Sequence, residues 1–227
     1  MLGQAIGDLL PLALGIAISP IPIIAVILML FSQRARANSS TFLLGWIVGV
    51  LGGTIVLLLI GNTQDLSQSN GQPDDSVSTI KLVLGLLLVA AAHRQWRKRP
   101  KEGETAALPK YLQTIDTLTP LKAAGLGVVL SVVNPKNLMM IIAGSLVISQ
   151  ADLSDTDTII AVVVFVLIAI STVAVPVILY NVMGERAQPM LDTMRSWLAQ
   201  NNAAVMAVLL LVIGFVLIGK GIGPIID

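Results

Sequence analysis

The chain is 227 residues long, 55% hydrophobic and 12% charged, with a formal net charge of +1 and no cysteine. So apolar a composition excludes an ordinary soluble domain. The missing cysteines exclude disulfides, thiol redox chemistry and thiolate metal sites.

About 20 apolar residues cross a hydrocarbon core of roughly 30 Å as helix, and six runs are predicted to do so. The first, Leu9–Phe31, has nothing basic before it, is too long for a signal-peptide core and has no small-residue cleavage pattern after it, so it reads as a retained span. Ser19, Pro20 and Pro22 fall near its centre. The second, Phe42–Gly61, carries Gly45, Gly49 and Gly53 on one face, a stripe suited to close helix approach or to pairing with a second copy of the chain. The third, Leu82–Ala92, is extended back to Val77, with Lys81 near the membrane surface. It ends in His93, Arg94, Trp96, Arg97, Lys98 and Arg99, an interfacial anchor in which His93 is a solvated residue rather than a ligand.

The fourth run, Leu121–Ile148, would measure about 42 Å as one helix, too long for a straight crossing. Ser131, Asn134, Pro135, Lys136 and Asn137 sit near its middle. The fifth, Ile159–Tyr180, offers Ser171, Thr172 and Pro176 as candidates to line a path, and the sixth is Ala203–Ile218. Two further segments are amphipathic and read as helices on the inner leaflet. One places Met190, Leu191, Met194, Trp197 and Leu198 on a face; the other, weaker, uses Tyr111, Leu112, Ile115 and Leu118.

Charge orients these spans. Arg34 and Arg36, the basic run after His93 with Lys101, Lys110 and Lys122, and Arg186 and Arg195 occupy the odd loops, whereas Asp65, Asp74, Asp75, Asp152, Asp155 and Asp157 occupy the even ones. The positive-inside rule then makes the odd loops cytoplasmic and puts both termini outside. With the basic residues serving topology, no nucleic-acid partner is expected.

The first and fourth spans share an order: a glycine-containing apolar half, a serine, a proline break, and a half rich in Leu, Met and Ile. The predicted fold is therefore an all-α polytopic membrane protein of six transmembrane helices, a 3+3 inverted repeat with spans one and four broken at proline. Residues 1–227 form a single transmembrane domain, with a first repeat at 9–101, a second at 120–223 and a basic cytoplasmic linker at 93–122.

A proline inside a helix removes a backbone bond and clashes with the turn before it. Ser19 before Pro20, and Asn134 before Pro135, are cap residues followed by first-turn prolines, the pattern that starts a helix. Such starts expose amides and the positive end of the macrodipole, which favour an anion. Lys136 adds a full charge that costs roughly 2.5–3.5 kcal/mol at mid-membrane. No Asp or Glu lies within a span to pair with it. The expected substrate site is Ser19, Pro20, Pro22, Ser131, Asn134, Pro135, Lys136 and Asn137, facing a cavity that takes an anionic small molecule or lipid headgroup. The absence of carboxylates within the spans argues against a proton relay. No nucleophile–base set or metal cluster points to an enzyme, so no catalytic residue, metal or cofactor is expected.

With "SPIPIIAVILMLFSQRARANSSTFLLGW" near the start, "HRQWRKRP" after span three and "LSVVNPKNL" opening the second half, the chain resembles the GAP or Sap family, the glycopeptidolipid- and sulfolipid-addressing proteins of the LysE exporter superfamily. The resemblance runs over essentially the whole chain. It implies a bacterial inner-membrane protein that assists export of cell-envelope glycolipids. Superfamily members that carry reductant have cysteines beside the broken helices; this chain has none. The leading expectation is an exporter or flippase-like carrier for an anionic amphiphile, working by alternating access around the two breaks. The alternatives are an amino-acid or small-metabolite exporter, and a non-transporting scaffold that hands lipids to envelope-lipid assembly or export proteins.

Overall fold

The structure, a computed structural model, describes residues 1–63, 75–99, 115 and 117–226. Among these it holds eight α-helices and no strand: α1 (Leu2–Ala17), α2 (Pro20–Leu30), α3 (Ala35–Thr63), α4 (Asp75–Arg97), α5 (Pro120–Val132), α6 (Pro135–Gln150), α7 (Asp155–Met183) and α8 (Gln188–Ile226). A 3-10 turn at Gly184–Ala187, with Gly184 at φ 60°, joins α7 to α8. A side chain at that φ would be strained, which suits glycine to the corner.

Both prolines expected to break a span do so. α1 and α2 bend by 51° across Ile18 and Ser19, and α5 and α6 by 65° across Val133 and Asn134. By length and apolarity, Ala35–Ile60 and the stretch Asp155–Gly219 can cross a membrane, and each bent pair does so when taken as one span, giving two to four candidate spans. The chain is thus a membrane protein built of apolar helices.

α4 lies along α8, α3 along α5 and α1 along α7; α3 also meets α6 and α7, and α2 meets α3, α7 and α8. Missing side chains bring two of these pairs together. A Cβ at Gly45 would stand 2.0 Å from the carbonyl oxygen of Ala124, one at Gly49 1.8 Å from the Ser131 hydroxyl, and one at Gly127 2.3 Å from the carbonyl of Phe42. α3 and α5 therefore touch backbone to backbone. Gly85 and Gly214 do the same for α4 and α8, at 2.8 and 3.0 Å from each other's carbonyls. The glycine stripe of α3, offered by the sequence for close approach or dimerisation, serves packing within the chain.

The two ends of the bundle are tied by different contacts. At the basic end, the Arg195 guanidinium of α8 sits 5.8 Å from the Phe31 ring at the close of α2, and Asn38 of α3 donates to the carbonyl of Leu118 just before α5 at 3.0 Å. At the other end, Lys81 of α4 donates to Gln150 at the close of α6 at 3.1 Å.

Two segments differ from expectation. The 190–198 stretch is no separate surface helix but the opening turns of α8, which runs unbroken for 39 residues. Its apolar face divides: Leu191 and Leu198 enter the core while Trp197 stays 58% exposed. No proline or glycine separates this stretch from the following span, so nothing stops the helix at the membrane surface. Most of the linker 93–122, and Tyr111 and Leu112 with it, lie outside the described residues; Ile115 is buried.

Candidate functional site

The two breaks meet inside the bundle. Pro20 opens α2 and has no N–H, so the carbonyl of Ile16 loses its helical donor. Ser19 turns its own N–H back onto Ala17 at 2.8 Å, which also strips Gly15 of its donor. The end of α1 is thus a cluster of bare carbonyls, the negative pole of a helix dipole. Lys136 reaches it from α6, its Nζ donating to the Gly15 carbonyl at 2.5 Å and to Ser19 Oγ at 2.6 Å. The residue is only 5% exposed. Thr172 of α7 donates from Oγ1 to the neighbouring carbonyl of Ala17.

Ser19 passes the connection on, donating to Asn137 Oδ1 at 3.1 Å, and Asn137 Nδ2 donates to the carbonyl of Leu130 at 3.2 Å. Gly15 and Leu130 hold equivalent places, each five residues before the proline that reopens the helix. One chain of hydrogen bonds therefore runs from the end of α1, through the starts of α2 and α6, to the end of α5. Its charged links are each worth about 1.5–3 kcal/mol, enough to offset much of the cost of a buried ammonium.

Of the eight residues expected at the site, Ser19, Lys136 and Asn137 are joined directly. Asn134 caps α6, accepting from the Lys136 N–H at 3.1 Å, and Pro135 and Pro20 are first-turn prolines, as expected. Pro22 is buried in the first turn of α2. Ser19 stands at the cap position of α2 without capping it, because its hydroxyl is committed to Lys136 and Asn137. Ser131 turns away: its hydroxyl bonds to Val128 of its own helix at 2.7 Å and lies against Gly49.

The ammonium was expected in a cavity, paired with a ligand anion for want of a carboxylate; here backbone and hydroxyl oxygens hold it. A break has two ends, and the carbonyl end draws a cation. Gly15 was missed because a backbone acceptor has no residue-type signature. The signal that finds it is Pro20, which strips acceptors a turn upstream. Thr172, a path-lining candidate by sequence, belongs to this cluster.

These features define a class: a helical membrane protein whose two broken spans are fastened to one another by a buried lysine. The chain belongs to the family described as SfLAP, Sap, sulfolipid-1-addressing protein, whose model matches residues 9–223. No curated protein and no solved structure matches it.

Proposed function

We propose that this chain is an exporter or flippase-like carrier that moves an anionic amphiphile, a cell-envelope lipid, glycolipid or precursor of one, across the bacterial inner membrane. The observation that carries the reading is the buried Lys136, a cation at the point where all four half-helix ends meet. In the carrier cycle an anionic headgroup displaces the Gly15 carbonyl and the Ser19 hydroxyl from the ammonium. That exchange frees the two breaks from each other and couples substrate binding to opening. The family's name, sulfolipid-1-addressing, supports lipid export or addressing as the setting.

The carrier has six crossings as a 3+3 inverted repeat, 9–101 and 120–223, within one domain, and belongs with the LysE superfamily. The helix pairings support this: exchanging α1–α2, α3 and α4 with α5–α6, α7 and α8 turns the α3–α5 pair into α7–α1, α3–α6 into α7–α2, and α4–α8 into itself. The basic end faces the cytoplasm with both termini outside. The protein acts without catalytic chemistry, metal or cofactor. Its partners are membrane lipids, the anionic ligand, a second copy of the chain, and envelope-lipid assembly or export proteins.

Deleting the gene and profiling envelope lipids, then reconstituting the chain with whatever accumulates, tests the reading. Flux is expected for the parent, is lost in Lys136→Met and survives in part in Lys136→Arg. Full flux in both variants refutes the role given to the ammonium. Retained lipid delivery in cells without any flux in vesicles selects the scaffold, a reading favoured by the two protein oxygens that already hold Lys136.

A further inference from the structure

The two breaks differ in how their freed carbonyls are met. At the first, Lys136 takes that of Gly15 and Thr172 that of Ala17; at the second, Asn137 takes that of Leu130. Two further acceptors at the second break have no donor among the described residues. The Lys136 N–H, which would serve Val132, goes to Asn134 Oδ1 at 3.1 Å, and the Val133 carbonyl, at the turn itself, receives no backbone bond. Beside them, Asn134 Nδ2 donates to nothing among the described residues. α5 and α6 measure about 20 and 24 Å, so these groups lie about midway across the span. They also lie on the outside. Leu121, Gly125, Val129 and Val133 follow one another at four-residue spacing as an exposed ridge of α5, on the side away from the seam with α3, and Pro135 continues the exposure into α6. Acyl chains offer no donor, and backbone freed from a helix at this depth is tolerated only against protein or water.

We infer that a second copy of the chain covers this ridge, the Asn134 amide of each copy donating to the Val132 or Val133 carbonyl of the other across a two-fold axis along the membrane normal. The inference rests on the carrier reading only in its second copy, not in its cargo. Self-complementarity selects this occupant. Two copies inserted the same way present the same residues at the same depth, so a face that holds both a free donor and free acceptors satisfies its own image. Amide side chains join helices in membranes in this way, and Gly125, with nothing of its own chain within 4 Å of an added Cβ, lets the second backbone come close. The glycines of α3, by contrast, are already occupied by α5. The ridge serves pairing rather than the fold of the single chain, whose core it does not enter.

The cysteine-free chain allows cross-linking at single sites. Full-length protein at low density in phosphatidylcholine vesicles carries Val133→Cys on the ridge, or Leu167→Cys, which is comparably exposed near the middle of α7, and is oxidised with copper phenanthroline. Disulfide-linked dimers are expected to form several-fold faster at Val133→Cys. Asn134→Ser keeps a capping oxygen and removes the amide; Gly125→Leu fills the open ridge where its own chain has no neighbour. Each is expected to slow linking at Val133→Cys several-fold, with helical circular dichroism unchanged. Linking at Val133→Cys no faster than at Leu167→Cys overturns the face, and unaltered linking in both variants overturns the pairing of amide and carbonyl. Counting photobleaching steps of a fluorophore at the chain terminus sorts the first failure: paired steps put the second copy on another face, and single steps leave the ridge to lipid or to another protein. Flux in Lys136→Met reports on the carrier reading separately, because none of these variants alters that residue.

Discussion

At the first break, between α1 and α2, Ser19 occupies the cap position yet leaves α2 uncapped, and the surrounding residues are packed into the core. At the second, between α5 and α6, Asn134 caps its helix and the flank is open, with Val133 66% exposed. The fastening groups are just as unequal. Lys136 and Asn137, both from the second break, reach the carbonyls of Gly15 and Leu130, one in each half, whereas the first break contributes a single hydroxyl. Two copies of one idea have divided the work: the first break is an acceptor embedded in the interior, and the second is the arm that grips it.

Variants can strain or sharpen this division. The largest effect is expected from Lys136→Met, which removes the grip and strands the buried Gly15 carbonyl; flux in reconstituted vesicles is lost and stability falls by about 1–3 kcal/mol in thermal unfolding. Gly49→Ala comes next, since the new methyl would sit 1.8 Å from the Ser131 hydroxyl. Forcing α3 off α5 is expected to cost about 1–3 kcal/mol by the same measurement. Gly52→Ala, with nothing within 4 Å of the added atom, is the control and leaves stability unchanged or slightly raised. Ser19→Ala and Asn134→Ala then separate grip from cap. The first lowers flux together with stability. The second costs about 1 kcal/mol of stability with flux retained; equal loss of flux in both would erase the distinction between the breaks. The smallest effect is expected from Val133→Phe on the open flank, within about 0.5 kcal/mol of the parent. Ala17→Phe, at the matching buried flank, is expected to unfold the chain or abolish flux.

Much of this was legible in the residues. Ser-Pro and Asn-Pro within apolar runs located both breaks, and Lys136 without a carboxylate partner marked the centre. The glycines of α3 announced a close approach, but not to which helix, because small residues state distance and not identity. Ser131 was grouped with the site from its nearness in sequence to Asn134, yet the 65° bend falls between them, and Ser131 stays on α5 facing α3. The partner of Lys136 was illegible for another reason: its acceptor is a peptide carbonyl freed by a proline on another helix. The length of α8 escaped notice because an amphipathic stretch and an apolar one join without any breaking residue.

The glycine contacts set a limit on motion. α3 belongs to the first half and is pressed against α5 of the second; α4 of the first is pressed against α8 of the second. Swinging one half of the chain as a rigid body past the other would have to peel apart both seams at once, where main chains touch and no side chain can slide. If the chain works as the carrier proposed above, the cheaper line of movement runs between the two welded couples, with mixed pairs as the moving parts and the short segments at the breaks as their joints. A disulfide engineered between positions 38 and 118, across the α3–α5 seam, should therefore leave turnover intact; its loss would mean that the seam opens after all.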